Sequence, residues 1–165
     1  MKIGVLSDTH DNLSNLIVAL ETFREKGITT VIHCGDLTGL ELVPQFRGFR
    51  LIYTIGNMDV TVGSLQKKIS GMRDDNFAGV VFRGKLEGVS VAVTHSHLKG
   101  QVMELVREKR YKWLFHGHTH RRRDEVVHGT RIINPGALGG MSREHYSFCI
   151  VDLGIEDVEF IRLPG

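Results

Sequence analysis

Met1-Lys2-Ile3-Gly4-Val5-Leu6-Ser7-Asp8-Thr9-His10 opens the chain, and the reading of these ten residues decides the fold. The apolar run Ile3 to Leu6 is too short for a helix and breaks at once into polar residues, the pattern of a buried strand that stops at a loop. The same event recurs four times. Thr30 to Ile32 runs into Gly35-Asp36, Leu51 to Ile55 into Gly56-Asn57-Met58-Asp59, Val89 to Thr94 into His95-Ser96-His97, and Trp113 to Phe115 into Gly117-His118-Thr119-His120. In open α/β sheets ligands gather outside the carboxyl ends of the strands, so these distant loops are expected to converge.

Between the first two runs, Leu13, Leu16, Ile17, Leu20 and Phe23 follow helical spacing, with Asp11 as the expected N-cap and Lys26-Gly27 as the stop. A second helical piece, Leu40 to Phe46, contains Pro44, which limits its regularity. This β-α-β-α-β opening specifies parallel strands with helices on the face of their sheet. Ser64 to Asn76 has no strong period and reads either as a helix or as a loop over the strand ends. Gly79 to Arg83 and Lys85 to Thr94 read as hairpin-linked strands with a turn around Glu87-Gly88, and Gln101 to Arg107 as a helix. Glu125 to Val127 and Thr130 to Ile133 form a further hairpin around His128-Gly129, and Tyr146 to Leu153 with Val158 to Leu163 supply closing strands. Antiparallel strands added to a parallel core predict an α/β fold of two mixed β-sheets packed face to face, flanked by helices. With 165 residues and 41% hydrophobic content, residues 1–165 are expected to form one domain.

Charged residues make up 24% of the chain and the formal net charge is +2, a balance that points to neither nucleic acid nor membrane. Cys34 and Cys149 are too few for a disulfide framework and match no structural zinc spacing. A reducing, cytoplasmic setting is the expectation. The N-terminal residues run straight into a strand instead of a signal peptide, and no run of about 18 apolar residues predicts a membrane span.

Asp8, His10, Asp36, Asn57, His95, His118 and His120 are oxygen and nitrogen donors of the kind that hold divalent transition metals. Asp8 and His10 sit two apart on one loop and can grip a single cation. Asp36 follows a glycine that lets the backbone turn closely. With one carboxylate shared, seven residues give two metals four contacts each and leave positions for water and substrate, the property of a catalytic site. Two divalent ions outweigh the charge of Asp8, Asp36 and a bridging hydroxide, so the centre favours an anion. Two metals about 3.5–4 Å apart clamp a phosphoryl group and activate that hydroxide for in-line attack. The mixed donors suit manganese, and also nickel, cobalt, iron or zinc. His33 and His116 precede the glycine turns, either as partners that orient ligands or as buried, satisfied histidines. His97 can reach the rim, and Asn12 and Asn57 are candidates for substrate contact. Cys34 reads as a small buried filler, His128 and His145 as turn or surface residues. Arg121 to Arg123 form either a phosphate-attracting rim or a solvated face.

Asp8-Thr9-His10, Gly35-Asp36, Gly56-Asn57-Met58-Asp59, Thr94-His95-Ser96-His97, Gly117-His118-Thr119-His120 and Asn134-Pro135-Gly136 resemble the calcineurin-like metallophosphoesterases, specifically their small bacterial and archaeal phosphodiesterase branch. That resemblance implies an αββα sandwich. It also implies one metal held by Asp8, His10, Asp36 and His120, and another by Asp36, Asn57, His95 and His118. The departure is Met58, where many members have a histidine that protonates the leaving group and is paired with the following acid. A thioether donates no proton, so Asp59 is left without an imidazole to orient, and His97 or a water becomes the alternative donor.

The expected function is a metal-dependent phosphodiesterase acting on a small or nucleotide-like phosphodiester, with self-association left open. Two other readings stand beside it. One is a protein-binding scaffold resembling the retromer subunit of the same fold, against which the full ligand set argues. The other is a nuclease, which wants an extended basic groove with aromatic platforms; here aromatics are 7% and fall mostly inside the strands.

Overall fold

Every residue of the first strand, β1 (Lys2–Leu6), is buried except Lys2, although successive side chains leave opposite faces of the sheet. Ile3 and Val5 enter one core and Leu6 another, so the strand is covered on both sides. The computed structural model describes residues 1–142 and 144–164. After β1 come α1 (Leu13–Glu25), β2 (Thr30–His33), a 3-10 helix (Leu40–Phe46), β3 (Arg50–Thr54), α2 (Val62–Ser70) and β4 (Phe77–Gly79). The second half holds β5 (Val81–Leu86), β6 (Val89–Thr94), α3 (Gln101–Arg107), β7 (Trp113–His116), β8 (Arg123–Val127) and β9 (Thr130–Asn134), followed by β10 (Ser147–Asp152) and β11 (Asp157–Arg162).

Six strands form one sheet in the order β11-β10-β1-β2-β3-β4, and five form a second in the order β5-β6-β7-β9-β8. The sheets are mixed: β1, β2, β3 and β4 pair in parallel, as do β6, β7 and β9, while β10, β11, β5 and β8 add antiparallel edges. Ile3, Val5, Ile32 and Ile52 of the first sheet meet Val91, Val93, Trp113 and Phe115 of the second in a dry layer between them. On the outer face of the first sheet, Leu16, Leu20 and Phe23 of α1 bury against Leu6, Val31 and Phe148. Each such side chain removed from water contributes roughly 1.5–3 kcal/mol. Leu105 and Val106 of α3 cover the other outer face at Ala92, Leu114 and Ile132. The four layers are helix, sheet, sheet, helix, an αββα sandwich.

Three local expectations are refined. The helix α1 is capped by Asn12, whose Oδ1 accepts the Asn15 N–H at 3.1 Å, and Asp11 instead holds a left-handed backbone at φ 59°. The segment left open between helix and loop, Ser64 to Asn76, begins inside α2, which ends at Ser70, and continues as turns. The run beginning at Gly79 is divided: β4 pairs with β3 in the first sheet and β5 with β6 in the second, so the chain changes sheets at Val80. The turns at Glu87-Gly88 and His128-Gly129 have positive φ at both residues, as two-residue hairpins require. Among the described residues no helix is long and apolar enough to cross a membrane.

Candidate metal centre

The strands β1, β2 and β3 of the first sheet and β6 and β7 of the second release their loops into one place. Beyond the end of β1, Asp8 N–H donates to Gly35 O at 2.9 Å and His10 N–H to Asp36 O at 3.0 Å, which carries the β1–β2 pairing into the loops. From the other side Gly139 N–H donates to Asp8 O at 2.9 Å. Two glycines make the approach possible. A Cβ at Gly35 would lie 2.6 Å from His95 Nδ1, and one at Gly117 would overlap Ser7 Oγ. Asp8, His10, Asp36, His118 and His120 all hold positive φ, between 44° and 68°, a conformation rare for residues with a Cβ and concentrated at functional sites.

Two tight groups of donors result, Asp8 with His10 and His120, and Asp8 with Asp36 and His95. His120 Nε2 lies 3.2 Å from Asp8 Oδ1 and 3.2 Å from His10 Nε2. His95 Nε2 lies 3.2 Å from Asp36 Oδ2 and 3.1 Å from Asn57 Oδ1. Asp36 Oδ2 also stands 3.9 Å from His10 Nε2, between the two groups. His118 is outside both, more exposed, with its ring centroid 5.1 Å from that of His95 and its N–H donating to Asp8 Oδ2 at 3.0 Å. The sequence-predicted donors are thus brought to one site from five loops, five of them in direct clusters and Asn57 and His118 at their border.

The chemistry of this set fits a cation. His95 Nδ1 faces Cys34 O at 2.7 Å and His120 Nδ1 faces Met141 O at 2.7 Å, so in each ring Nδ1–H donates to a carbonyl. Each Nε2 then turns a lone pair toward carboxylate oxygen, the arrangement by which second partners orient metal-ligating histidines. Asp8 Oδ1 is buried without a hydrogen-bond donor among the described residues, although its fellow Oδ2 accepts from Ser7 Oγ at 2.6 Å. An orphaned buried carboxylate oxygen is costly, and a positive charge between it and the imidazoles removes the cost. Without the ion, protons supply that charge. Burial pulls His95 down, but Asp36 and Asp8 outweigh it and leave the ring above its ordinary value. The Asp8 carboxylate, with Oδ1 3.2 Å from Nε2, likewise raises His120. Burial pushes the Asp36 carboxyl up, yet His95 and the Met58 N–H hold it below the usual range.

These donors stand in a chain whose residues 1–155 match the model of the calcineurin-like phosphoesterase superfamily domain. The chain belongs to that superfamily. It is accordingly a phosphoric ester hydrolase. A phosphodiesterase of Methanocaldococcus jannaschii is 32% identical to it over 161 residues, which are 96% of this chain and 94% of that protein. The solved structure of a novel archaeal phosphodiesterase superposes with a TM-score of 0.93 at 30% identity, covering 99% of this chain and 100% of that one. Vps29 of Entamoeba histolytica, solved in complex with zinc, superposes with a TM-score of 0.71 at 19% identity over 99% of this chain and 98% of its own, a likeness of fold alone.

Several residues of this phosphoesterase have roles that their sequence context does not announce. Asp59, left without an imidazole by Met58, is buried and accepts from Tyr53 Oη at 2.6 Å, Gly56 N–H at 2.7 Å, Thr38 N–H at 3.2 Å and Asp36 N–H at 3.3 Å. It ties the Asp36 loop to the Asn57 loop. Asn134 Nδ2 donates to Gly117 O and Thr119 Oγ1, both at 3.0 Å, and steadies the loop before His118. His33 lies under the first two loops, its Nδ1 accepting from Gly35 N–H at 3.1 Å and its Nε2 2.9 Å from Thr9 Oγ1. Burial drives it to a pKa of about 3, so it is held neutral. Burial also takes His116 to about 4, beside Gly117 O at 3.1 Å. Both histidines brace the glycine turns. His97 is placed near the site, its ring 5.5 Å from His95 and 6.4 Å from His118. Asn12 spends its carbonyl oxygen on the α1 cap. Cys34 is fully buried in the inter-sheet core, and His128 and His145 are exposed.

Proposed function

We propose that the chain is a metal-dependent phosphodiesterase that hydrolyses a small or nucleotide-like phosphodiester at a dinuclear centre. The observation that carries this reading is the orphaned, buried Asp8 Oδ1, ringed by His10, His95 and His120 Nε2 atoms at 3.2–4.0 Å. Asp8, His10, Asp36 and His120 would hold one ion, and Asp36, Asn57, His95 and His118 the other. Asp36 is the shared ligand because its Oδ2 faces one imidazole from each set, His10 and His95. When bound, such a pair of ions clamps a phosphoryl group and lowers the pKa of water for in-line attack. Manganese is the first candidate; nickel, cobalt, iron and zinc suit the same donors.

The remaining steps fall to the chain itself. Met58 is half exposed and carries no proton to give; its backbone N–H instead fixes Asp36 Oδ1 at 2.8 Å. His97 is assigned the leaving-group proton, since its Nδ1 is buried without a partner among the described residues beside His95 and His118. The exposed amide of Asn57 adds a contact to substrate oxygen, with Asn12 Nδ2 as a second candidate at the rim. The test is hydrolysis of bis(p-nitrophenyl) phosphate after chelation and add-back of divalent ions one at a time. Activity restored by one or more ions is the expected result, and a lack of turnover with all of them ends the proposal. A protein partner retained equally by wild type and by Asp36→Asn, with no catalysis in either, would favour a scaffold instead.

A further inference from the structure

Two cavities meet on the loop that follows β7. The first, about 240 Å³, is lined by His118, Thr119, His120, Arg121 and Met141. The second, about 550 Å³, is lined by His116, Thr119, Arg121, Arg122 and Arg123. Thr119 and Arg121 line both, so the two adjoin at these residues and together offer a path along the loop from His118 and His120 to three arginines. We propose that this path is a subsite for a second anionic group of the substrate, which makes the preferred substrate a small phosphodiester carrying an additional phosphate. The proposal rests on the phosphodiesterase reading above.

The charges along the path differ in how they are occupied. Arg123 pairs with Glu125, and its Nη1 lies 3.4 Å from His116 Nε2. Arg122 reaches Glu144 through Nη2 at 3.4 Å, while its Nη1 is buried with no partner among the described residues. Arg121, exposed and shared by both cavities, has no ion pair among the described residues. Two carboxylates therefore face three guanidinium groups, and the excess sits at the point nearest the metal centre. A run of arginines on a solvated strand needs no ligand. This run is different because Arg121 follows directly on His120, about 3.8 Å away along the backbone, and lines the same cavity as His118 and His120 at the edge of the candidate metal centre. The planar guanidinium fork matches a phosphate in two parallel hydrogen bonds, which a lysine cannot do. Nearly fully exposed Met141 gives the first cavity an apolar wall for the organic part that links the two anions.

The probes are the p-nitrophenyl ester of thymidine 5′-phosphate and the same compound with a 3′-phosphate. The metal-loaded wild type should show a KM about tenfold or more lower for the doubly phosphorylated probe, the scale of one or two charge-assisted contacts. Arg121→Gln should remove most of that preference, Arg122→Gln part of it, and Lys26→Gln, a matched charge loss at the far end of α1, none. Equal KM values for the two probes in the wild type, or a preference that survives Arg121→Gln, would overturn the subsite and leave the phosphodiesterase reading standing. No metal-dependent turnover of either probe would overturn both. A gain that keeps growing from dinucleotide to longer oligonucleotides would replace the small substrate with a polymer.

Discussion

Removing the Asp59 carboxylate tests the idea that the site is held by acceptors for backbone N–H groups as much as by its ligands. Three donors converge on Oδ2, namely Tyr53 Oη, Gly56 N–H and Asp36 N–H at 2.6, 2.7 and 3.3 Å, and Thr38 N–H meets Oδ1 at 3.2 Å. A buried donor left without an acceptor costs roughly 1–3 kcal/mol. Counting the two short bonds in full and allowing water to reach the two long ones gives Asp59→Ala a loss of about 3–5 kcal/mol. Some is returned, because Asp36 and Thr38 hold φ of 58° and 70° and are freed to relax; such strain is on the order of 1–3 kcal/mol per residue. With only about 1 kcal/mol returned in all by partial relaxation, the net expectation is about 2–4 kcal/mol, or roughly 4–16 °C in Tm for a chain of this length. Asp59→Asn should cost less, about 1–2 kcal/mol. Its amide oxygen can take the place of Oδ2, and only Thr38 N–H then faces a donor.

The assay is urea unfolding of the metal-free variants, paired with calorimetric titration of the ions into the folded protein. Relaxation of the Asp36 loop should also weaken metal binding in both variants, a result that a role in stability alone would not produce. An Asp59→Ala protein within about 0.5 kcal/mol of wild type, or one with unaltered metal affinity, refutes the reasoning. So does an Asn variant that is damaged as much as the Ala variant.

Three further outcomes follow from the same geometry. Asp36→Asn should lower activity and metal affinity more than His10→Ala, because Asp36 Oδ2 faces imidazoles of both proposed metal sets whereas His10 belongs to one; equal or reversed losses in kcat and in calorimetric stoichiometry would show that Asp36 is not shared. His33 has a folded-state pKa of about 3 against an ordinary 6.5, so its contribution to stability is complete above pH 6.5 and is lost as the pH falls toward 3. At pH 5 that loss is about 2 kcal/mol, and the stability gap between wild type and His33→Gln should shrink by this amount between pH 8 and pH 5; a gap independent of pH contradicts the assignment. If His97 supplies the leaving-group proton, His97→Ala should slow esters of poor leaving groups about 10²-fold or more and p-nitrophenyl esters far less. A uniform slowing would remove it from that role.

The candidate donor set was legible in the sequence because such donors must be side chains, and side chains at the ends of apolar runs can be counted. The two sheets were legible for a related reason: β1, β2 and β3 are apolar on both faces, which only a layer covered on both sides allows. What the sequence concealed is backbone. Asp11 and Asn12 are both good helix caps, and the choice fell to Asn12 because Asp11 turns left-handed to keep its N–H on Leu37 O. Val80 looks like the middle of one strand, but a period of two carries no information about which sheet a strand joins. The partners of Asp59 are mostly N–H groups that every residue has, so nothing in the neighbouring letters marks it.

The left-handed conformations at Asp8, His10, Asp36, His118 and His120 point the same way. A reader of sequence places glycine at such positions, yet here they must carry a donor. Three of these turns are visibly held from outside: by Gly35 O and Gly139 N–H for Asp8, by Asp59 for Asp36, and by Asn134 through the carbonyl before His118. A relative could keep all seven donors, lose Asp59 and Asn134, and still display the full motif while its loops relaxed to ordinary backbone. Within this fold, whether the candidate donors gather is decided by residues that offer no donor to a metal themselves.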